Sequence, residues 1–336
     1  MRPKLTRATT SLLLMTLLLA GGYLLGQEPK EIEEEKDKPT GQAALAVKVE
    51  QVRVDVAVRD KKDNLITGLQ KQHFEIYEDK VKQEITNFQA IDAPMTAVLL
   101  VEYSKVLNWE MLYEAWLGSY TFVKEMRPGD WVAVMAYDIR PEILVDFTQD
   151  KGEVARALRR LNYPAWRESN LYDALHDVLD RTQEVEGKTV IVLVSSGLDT
   201  FSKKNLGETL KRVKRANATI YTVMLGGNLL ARAEHRLSNT SRMDFLQAEA
   251  TLKNIAKQTG GESFFPRFTS AFPSIFHTIS VLARNQYSLS YISTNAGAKK
   301  GDFHKIKVVV KADVDRDGKP DKLKVSHRQG WLEEDS

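Results

Sequence analysis

Apolar and polar residues alternate along Val52-Arg-Val-Asp-Val-Ala-Val58, the period of a strand with one face buried and one in water. Lys61-Lys62-Asp63-Asn64 reads as a turn, and Phe74 to Ile85 as two short strands around Glu78-Asp79-Lys80. Residues 45–92 are thus β-rich, but too few to form a secure core alone. Past Ala93-Pro94 the pattern changes. Thr96-Ala-Val-Leu-Leu-Val101 is a continuous apolar run, as in a strand covered on both faces. Helical spacing follows over 108–126 through Met111, Leu112, Ala115, Trp116, Tyr120 and Val123, and Pro128-Gly129-Asp130 ends it. A second buried strand is expected at Trp131–Ala136, with a short partner at Ile143–Phe147. Asp150 is placed to cap a helix reaching Leu161. Then come a helix over 170–184, a strand Thr189–Val194, a helix over 203–215 and a strand Ala218–Val223.

Residues 226–246 are polar and irregular and read as an insertion. The helix expected at 247–258 stops at Gly260-Gly261, and a last helix fills 270–285. This alternation predicts an α/β fold with an open, mainly parallel, doubly wound sheet over 93–292. Strand patterns return at Gln286–Ile292, Lys305–Lys311 and Lys322–Ser326. The β-rich head, 45–92, and the β-rich tail, 293–336, are expected to pair into one β-sandwich, because neither has enough strands alone.

The first residues read as an address. Arg2, Lys4 and Arg7 precede an apolar run from Ser11 to Leu25, about fifteen residues long and at the short edge of what spans a bilayer. Residues 1–26 are expected to be a cleaved signal peptide or an uncleaved anchor, which places the rest of the chain in the periplasm or outside the cell. Residues 27–44 are a charged linker with two prolines and few apolar residues, a solvated tether. Over 336 residues the formal net charge is +3, and the three leader cations account for it, so residues 27–336 are neutral overall. A neutral body without a Lys/Arg block gives no footprint for nucleic acid. The absence of cysteine excludes disulfides, thiolate metal sites and a cysteine nucleophile.

Ligands bind open parallel sheets outside the carboxyl ends of the strands. Three segments converge there: Glu102-Tyr103-Ser104-Lys105-Val106, the loop Asn162 to Asn170, and Ser195-Ser196-Gly197-Leu198-Asp199. With the order of elements, they resemble a von Willebrand factor type A domain over residues 94–292. Thr259-Gly-Gly-Glu-Ser-Phe-Phe265 and Phe303-His-Lys-Ile-Lys-Val308 are similar to segments of the exported bacterial proteins related to that family. The resemblance implies a Mg²⁺-type site in which a first strand ends Asp-x-Ser-x-Ser, a second loop gives Thr and a third gives Asp. One coordination position is left open for a partner's carboxylate. Here Glu102 stands for the first Asp, Ser104 matches, and Val106 offers no oxygen. Ser169 replaces Thr, and Ser196 replaces the third-loop Asp, with Asp199 just beyond. The expected site is therefore a degenerate one of Glu102, Ser104, Ser169, Ser196 and Asp199, weakened toward Mg²⁺. Tyr103, Trp109, Trp166 and Arg167 supply side chains typical of binding hot spots on its rim.

Asp313-Val-Asp315-Arg-Asp317-Gly318-Lys-Pro-Asp321 has the spacing of a calcium loop, although its twelfth position is Lys324 and it joins two strands. The histidines show no ligand spacing, and His73 and His304 read as strand or surface residues. No assembly of nucleophile, base and oxyanion donors appears. The leading expectation is a protein-binding or scaffolding module, not an enzyme, with a protein partner on the upper face and membrane contact only through the leader. A divalent-cation-dependent adhesin of the same fold is the alternative. A hydrolase using Glu102 and Asp199 is the reading from another class.

Overall fold

Elements form where the two periodicities place them. The computed structural model describes residues 51–89, 94–105, 107–159, 161, 166–227, 238–295, 301–314 and 318–332. The leader and tether expected over 1–44 lie outside these residues. No helix among the described residues is long and apolar enough to cross a membrane.

In chain order the strands are β1 (Gln51–Arg59), β2 (Phe74–Glu78), β3 (Val81–Gln83), β4 (Ile85–Gln89), β5 (Met95–Glu102), β6 (Trp131–Tyr137) and β7 (Pro141–Thr148). They continue as β8 (Lys188–Ser195), β9 (Ala218–Met224), β10 (Ser263–Phe264), β11 (Gln286–Ile292), β12 (Phe303–Val310), β13 (Lys324–His327) and β14 (Gly330–Leu332). The described helices are α1 (Trp109–Glu125), α2 (Lys151–Leu158), α3 (Leu171–Arg181), α4 (Leu206–Lys214), α5 (Asn239–Thr259) and α6 (Phe272–Arg284).

The central sheet runs β10-β9-β8-β5-β6-β7 and is parallel except for β7, which pairs antiparallel with β6. The continuous apolar runs sort by parity onto its two faces. Leu99, Val101, Val192 and Val194 pack under α1, α2 and α6, while Val98, Leu100, Ile191 and Leu193 pack under α3, α4 and α5. Truncating one of these wholly buried leucines to alanine costs about 2–5 kcal/mol, since both faces are sealed. The chain builds the sheet outward from β5 in one direction and from β8 in the other. The crevice where the order reverses therefore lies between the carboxyl ends of β5 and β8.

Head and tail strands interleave in two further sheets, β13-β1-β11-β4 and β14-β12-β2-β3. Val52, Val54, Val56 and Val58 of β1 meet Phe74, Ile76, Ile306, Val308 and Trp331 between them. The sharp turn from β2 to β3 is Asp79-Lys80, both with positive φ, a pattern that matches the twist of a tight hairpin.

Three expected boundaries move. Strand β11 pairs with β1 and β4, so the α/β part ends with α6 at Arg284 and not at residue 292. Helix α2 stops at Leu158 and not at Leu161. The irregular stretch expected over 226–246 is already helix from Asn239, where the Ser238 hydroxyl accepts the Ser241 N–H at 3.1 Å; residues 228–237 lie outside the described ones.

The two halves meet at the amino ends of the parallel strands. Arg328 is buried there, donating to the carbonyls of Lys214 at 2.7 Å and Gly330 at 3.0 Å. Lys188 donates to the Arg284 and Gln286 carbonyls, both at 3.2 Å. Both cations thus serve helix C-termini, whose carbonyls lack helical partners and carry the negative end of the dipole. Gly260, left-handed at φ 82°, ends α5; a Cβ there would stand 2.6 Å from the Arg328 nitrogen, so the close approach of the halves requires glycine.

Candidate functional site

Register brings the site together. Glu102, the last residue of β5, lies level with Tyr137 on β6, and Val101 is level with Val194 on β8, so Ser195 and Ser196 emerge beside it. Glu102 is wholly buried, and its carboxylate is held by four donors. Oε1 accepts the Ser104 hydroxyl at 3.0 Å. Oε2 accepts the Ser196 N–H at 2.7 Å, the Ser196 hydroxyl at 2.8 Å and the Ser195 hydroxyl at 3.1 Å. Tyr137 in turn donates its hydroxyl to Ser195 Oγ at 2.8 Å, and the Gly197 N–H donates to the same oxygen at 2.9 Å. Burial pushes the Glu102 carboxyl up from its ordinary value, while the serine donors pull it back. Burial, and then the charge of Glu102, drive the Tyr137 hydroxyl well above the ordinary tyrosine range.

Backbone bonds stitch the other loops to this cluster. Lys105 N–H donates to the Trp166 carbonyl at 2.7 Å, and Ser169 exchanges bonds with Thr200, each at 2.8 Å. Ser169 is fully buried, and its hydroxyl has no hydrogen-bond partner among the described residues. Gly197 turns the chain at φ 78°, and a Cβ there would lie 2.9 Å from the Ala248 carbonyl.

Asp199 does not join the Glu102 cluster. Its Oδ1 accepts the Tyr172 N–H at 3.2 Å and the Ser202 hydroxyl at 2.5 Å, so it satisfies the amino end of α3. Gly197, left-handed at φ 78°, turns the chain between Ser196 and Asp199. Without Asp199 the site holds one carboxylate, both of whose oxygens are occupied by donors. Magnesium needs near-octahedral oxygen ligands at about 2.1 Å. A single buried carboxylate, with a serine in place of the third-loop Asp and Val106 offering no oxygen, is a poor fit to it. Nor do Glu102 and Asp199 form an acid–base pair, since one is sealed from water and the other caps a helix.

The rim residues separate into two kinds. Trp109, in the first turn of α1, is 71% exposed, and Trp166 is 53% exposed beside exposed Arg167. Tyr103 is instead half-buried, packs on the core and donates its hydroxyl to the Leu161 carbonyl at 2.5 Å, which corrects its expected place on the open rim. Phe201, 55% exposed, joins the rim through its N–H bond to the Ser169 carbonyl at 3.2 Å. It was legible only as the aromatic following Asp199-Thr200. Ser195, legible only as part of the converging loop, and Tyr137 carry no site signal in the sequence, because strand-end residues of these types also read as core.

In the tail loop Asp313 accepts the Gly318 N–H and Asp321 accepts the Val314 N–H, both at 2.8 Å; Asp315 and Asp317 lie outside the described residues. A separate group, Glu78, Asp79 and His304, brings ligand-type atoms within 4.8 Å of one another. Glu78 there accepts Tyr291, Ser293, Asn295 and Trp331 at 2.5–3.0 Å, a polar tie between the two sandwich sheets.

Residues 115–198, spanning α1 to the loop after β8, match the family model described as the von Willebrand factor type A domain. The α/β half has a von Willebrand factor type A-like fold. Among solved structures, the chain is similar to the von Willebrand factor domain of the type V pili tip protein Mfa5 from Porphyromonas gingivalis. That match has 16% identity and TM-score 0.44, covering 57% of this chain and 97% of that one. An aerotolerance-related membrane protein from Bacteroides fragilis matches at 13% identity and TM-score 0.42, over 56% of this chain and 99% of that one. A von Willebrand factor type A protein from Catenulispora acidiphila matches at 10% identity and TM-score 0.45, over 86% and 75%. None of the curated proteins compared matches the chain.

Proposed function

We propose that the chain is an extracytoplasmic binding module that docks a protein partner on the upper face of its type A domain without a bound metal ion, and that it is not an enzyme. The observation that carries this reading is the exposure of Trp109 and Trp166, with Arg167 and Phe201, around a crevice already closed by Glu102. Large aromatic and arginine side chains left in water on one rim are the usual anchors of protein interfaces. In place of a cation that a partner completes, Glu102 ties β5 to the loop after β8 through its serine donors. The location outside the cytoplasm rests on the basic and apolar leader of the sequence.

The test places a photo-crosslinking amino acid at position 166 of the full chain in cells. A discrete protein adduct is expected, with equal yield after EDTA and loss on Trp109→Ser. An adduct that requires Mg²⁺ would favour the cation-dependent adhesin, for which the unpartnered Ser169 hydroxyl is the supporting feature. Thermal unfolding runs alongside. A cation present at about 100 times its Kd adds about 2.7 kcal/mol, so a bound Mg²⁺ would raise the midpoint, and no rise is expected. Calcium at the 313–321 loop is the remaining proposal; a Ca²⁺-dependent rise lost in Asp317→Ala would establish it.

A further inference from the structure

At the end of the molecule away from Glu102, the outward face of the sheet β14-β12-β2-β3 carries a row of lysines. Along β12 the inward residues His304, Ile306 and Val308 are buried and the outward ones are Phe303, Lys305 and Lys307, with Lys311 just beyond. Outward residues recur every second position, about 7 Å apart. Lysines often guard exposed sheet edges, but β12 lies between β14 and β2, so that role does not apply here.

The nearby carboxylates are already taken. Glu75 accepts Lys82 at 2.9 Å, Lys311 at 3.0 Å and the Tyr77 hydroxyl at 3.0 Å, which hold its carboxyl down at about 2. Asp79 accepts the Lys305 N–H at 2.9 Å and pairs with His304 at 2.8 Å. Lys80, Lys305 and Lys307 form no ion pair among the described residues. They line an open depression of about 710 Å³ with Tyr77, Lys311 and the two engaged carboxylates, Glu75 and Asp79. Lys305 also borders a second depression, of about 560 Å³, with Lys257, Phe303 and Gln329, and no carboxylate lines it. Lys257 is in the last turn of α5, so the basic track passes from the sandwich onto the type A domain.

We propose that this track, from Lys307 through Lys305 to Lys257, binds an acidic polysaccharide lying along it. Regularly spaced ammonium groups without ion pairs match the repeated carboxylates of such a polymer, and two concavities that share Lys305 suit a chain better than a bilayer plane. Single-stranded nucleic acid is favoured less. No arginine, the side chain that forks onto phosphate, lines either depression. The Phe303 ring is covered by Lys214 at 4.7 Å and is not offered to a base.

Fluorescently labelled polygalacturonate oligomers titrated with the full chain test this, with neutral dextran as the blank. Binding that weakens with salt is expected, about tenfold weaker in Lys305→Glu/Lys307→Glu and in Lys257→Glu, and unchanged in Lys211→Glu on exposed α4. Unfolding midpoints verify that each variant is folded. Lys257→Glu, which leaves the sheet untouched, carries the test if the double variant unfolds. Wild-type affinity in the variants, or an equal loss in Lys211→Glu, would overturn the proposal. So would single-stranded DNA or phosphatidylglycerol vesicles competing at lower charge concentration than the polyuronate. None of these outcomes depends on the upper face.

Discussion

A carboxylate sealed from water and held by four donors, as at Glu102, is costly to empty and inexpensive to neutralise. Glu102→Ala strands the Ser195, Ser196 and Ser104 donors in a buried pocket and is expected to cost about 2–4 kcal/mol, read as a lowered unfolding midpoint. Glu102→Gln keeps the shape and removes the charge. Because burial raises the folded-state pKa above 4.5, the folded form holds its proton more readily than the unfolded one. Its contribution to stability is therefore full below about 4.5 and is lost as pH rises through the folded value. Taken as a difference from Glu102→Gln, the wild-type midpoint should fall as pH rises through that range. Most of the cluster was legible in the sequence, since buried runs fix where β5 and β8 end, and Glu102, Ser104 and Ser196 sit at those ends. The role of Asp199 was not, because the turn at Gly197 depends on α5 pressing against it.

Among the elements, β13 carries a histidine held in one form. His327 Nδ1 bonds the Arg328 carbonyl at 2.6 Å and Nε2 accepts the Val308 N–H at 3.2 Å, which ties β13 to β12. Only the neutral ring can do both, and burial lowers its pKa from 6.5. A base with a depressed folded pKa contributes stability that is complete above the unfolded value and is lost as pH falls through 6.5 toward the folded one. Taken as a difference from His327→Gln, the wild-type midpoint should fall as pH drops below 6.5. The sequence could not show this tie, which pairs residues on two strands. For elements generally, apolar period was a sound guide where one face is buried. It failed at the first two turns of α5, which stand mostly in water with no apolar stripe, and at β10, whose two residues show no period.

On the scale of the whole molecule, the buried cations at the junction decide whether the two halves behave as one. Arg328 answers the Lys214 carbonyl at the end of α4, and the chain passes directly from its neighbour Gln329, bonded to the Gln258 carbonyl at 3.2 Å, into β14. Arg328→Ala removes the donor to that carbonyl and to Gly330, at a cost of about 1–3 kcal/mol. Calorimetry is expected to show a single transition in the wild type and two in the variant, as the sandwich and the type A domain lose their coupling.

The interleaving of head and tail strands also sets an order of assembly. Strand β4 finds its neighbour β11 only after roughly 200 intervening residues, and closing so long a loop in a disordered chain carries an entropic cost that grows with its length. Once the parallel sheet has formed, its entry and exit points already lie side by side, and the loop is closed before the sandwich begins. During synthesis, then, β1 and β4 must wait for β11 while the type A-like domain folds, and that domain acts as the template on which the rest of the protein is completed.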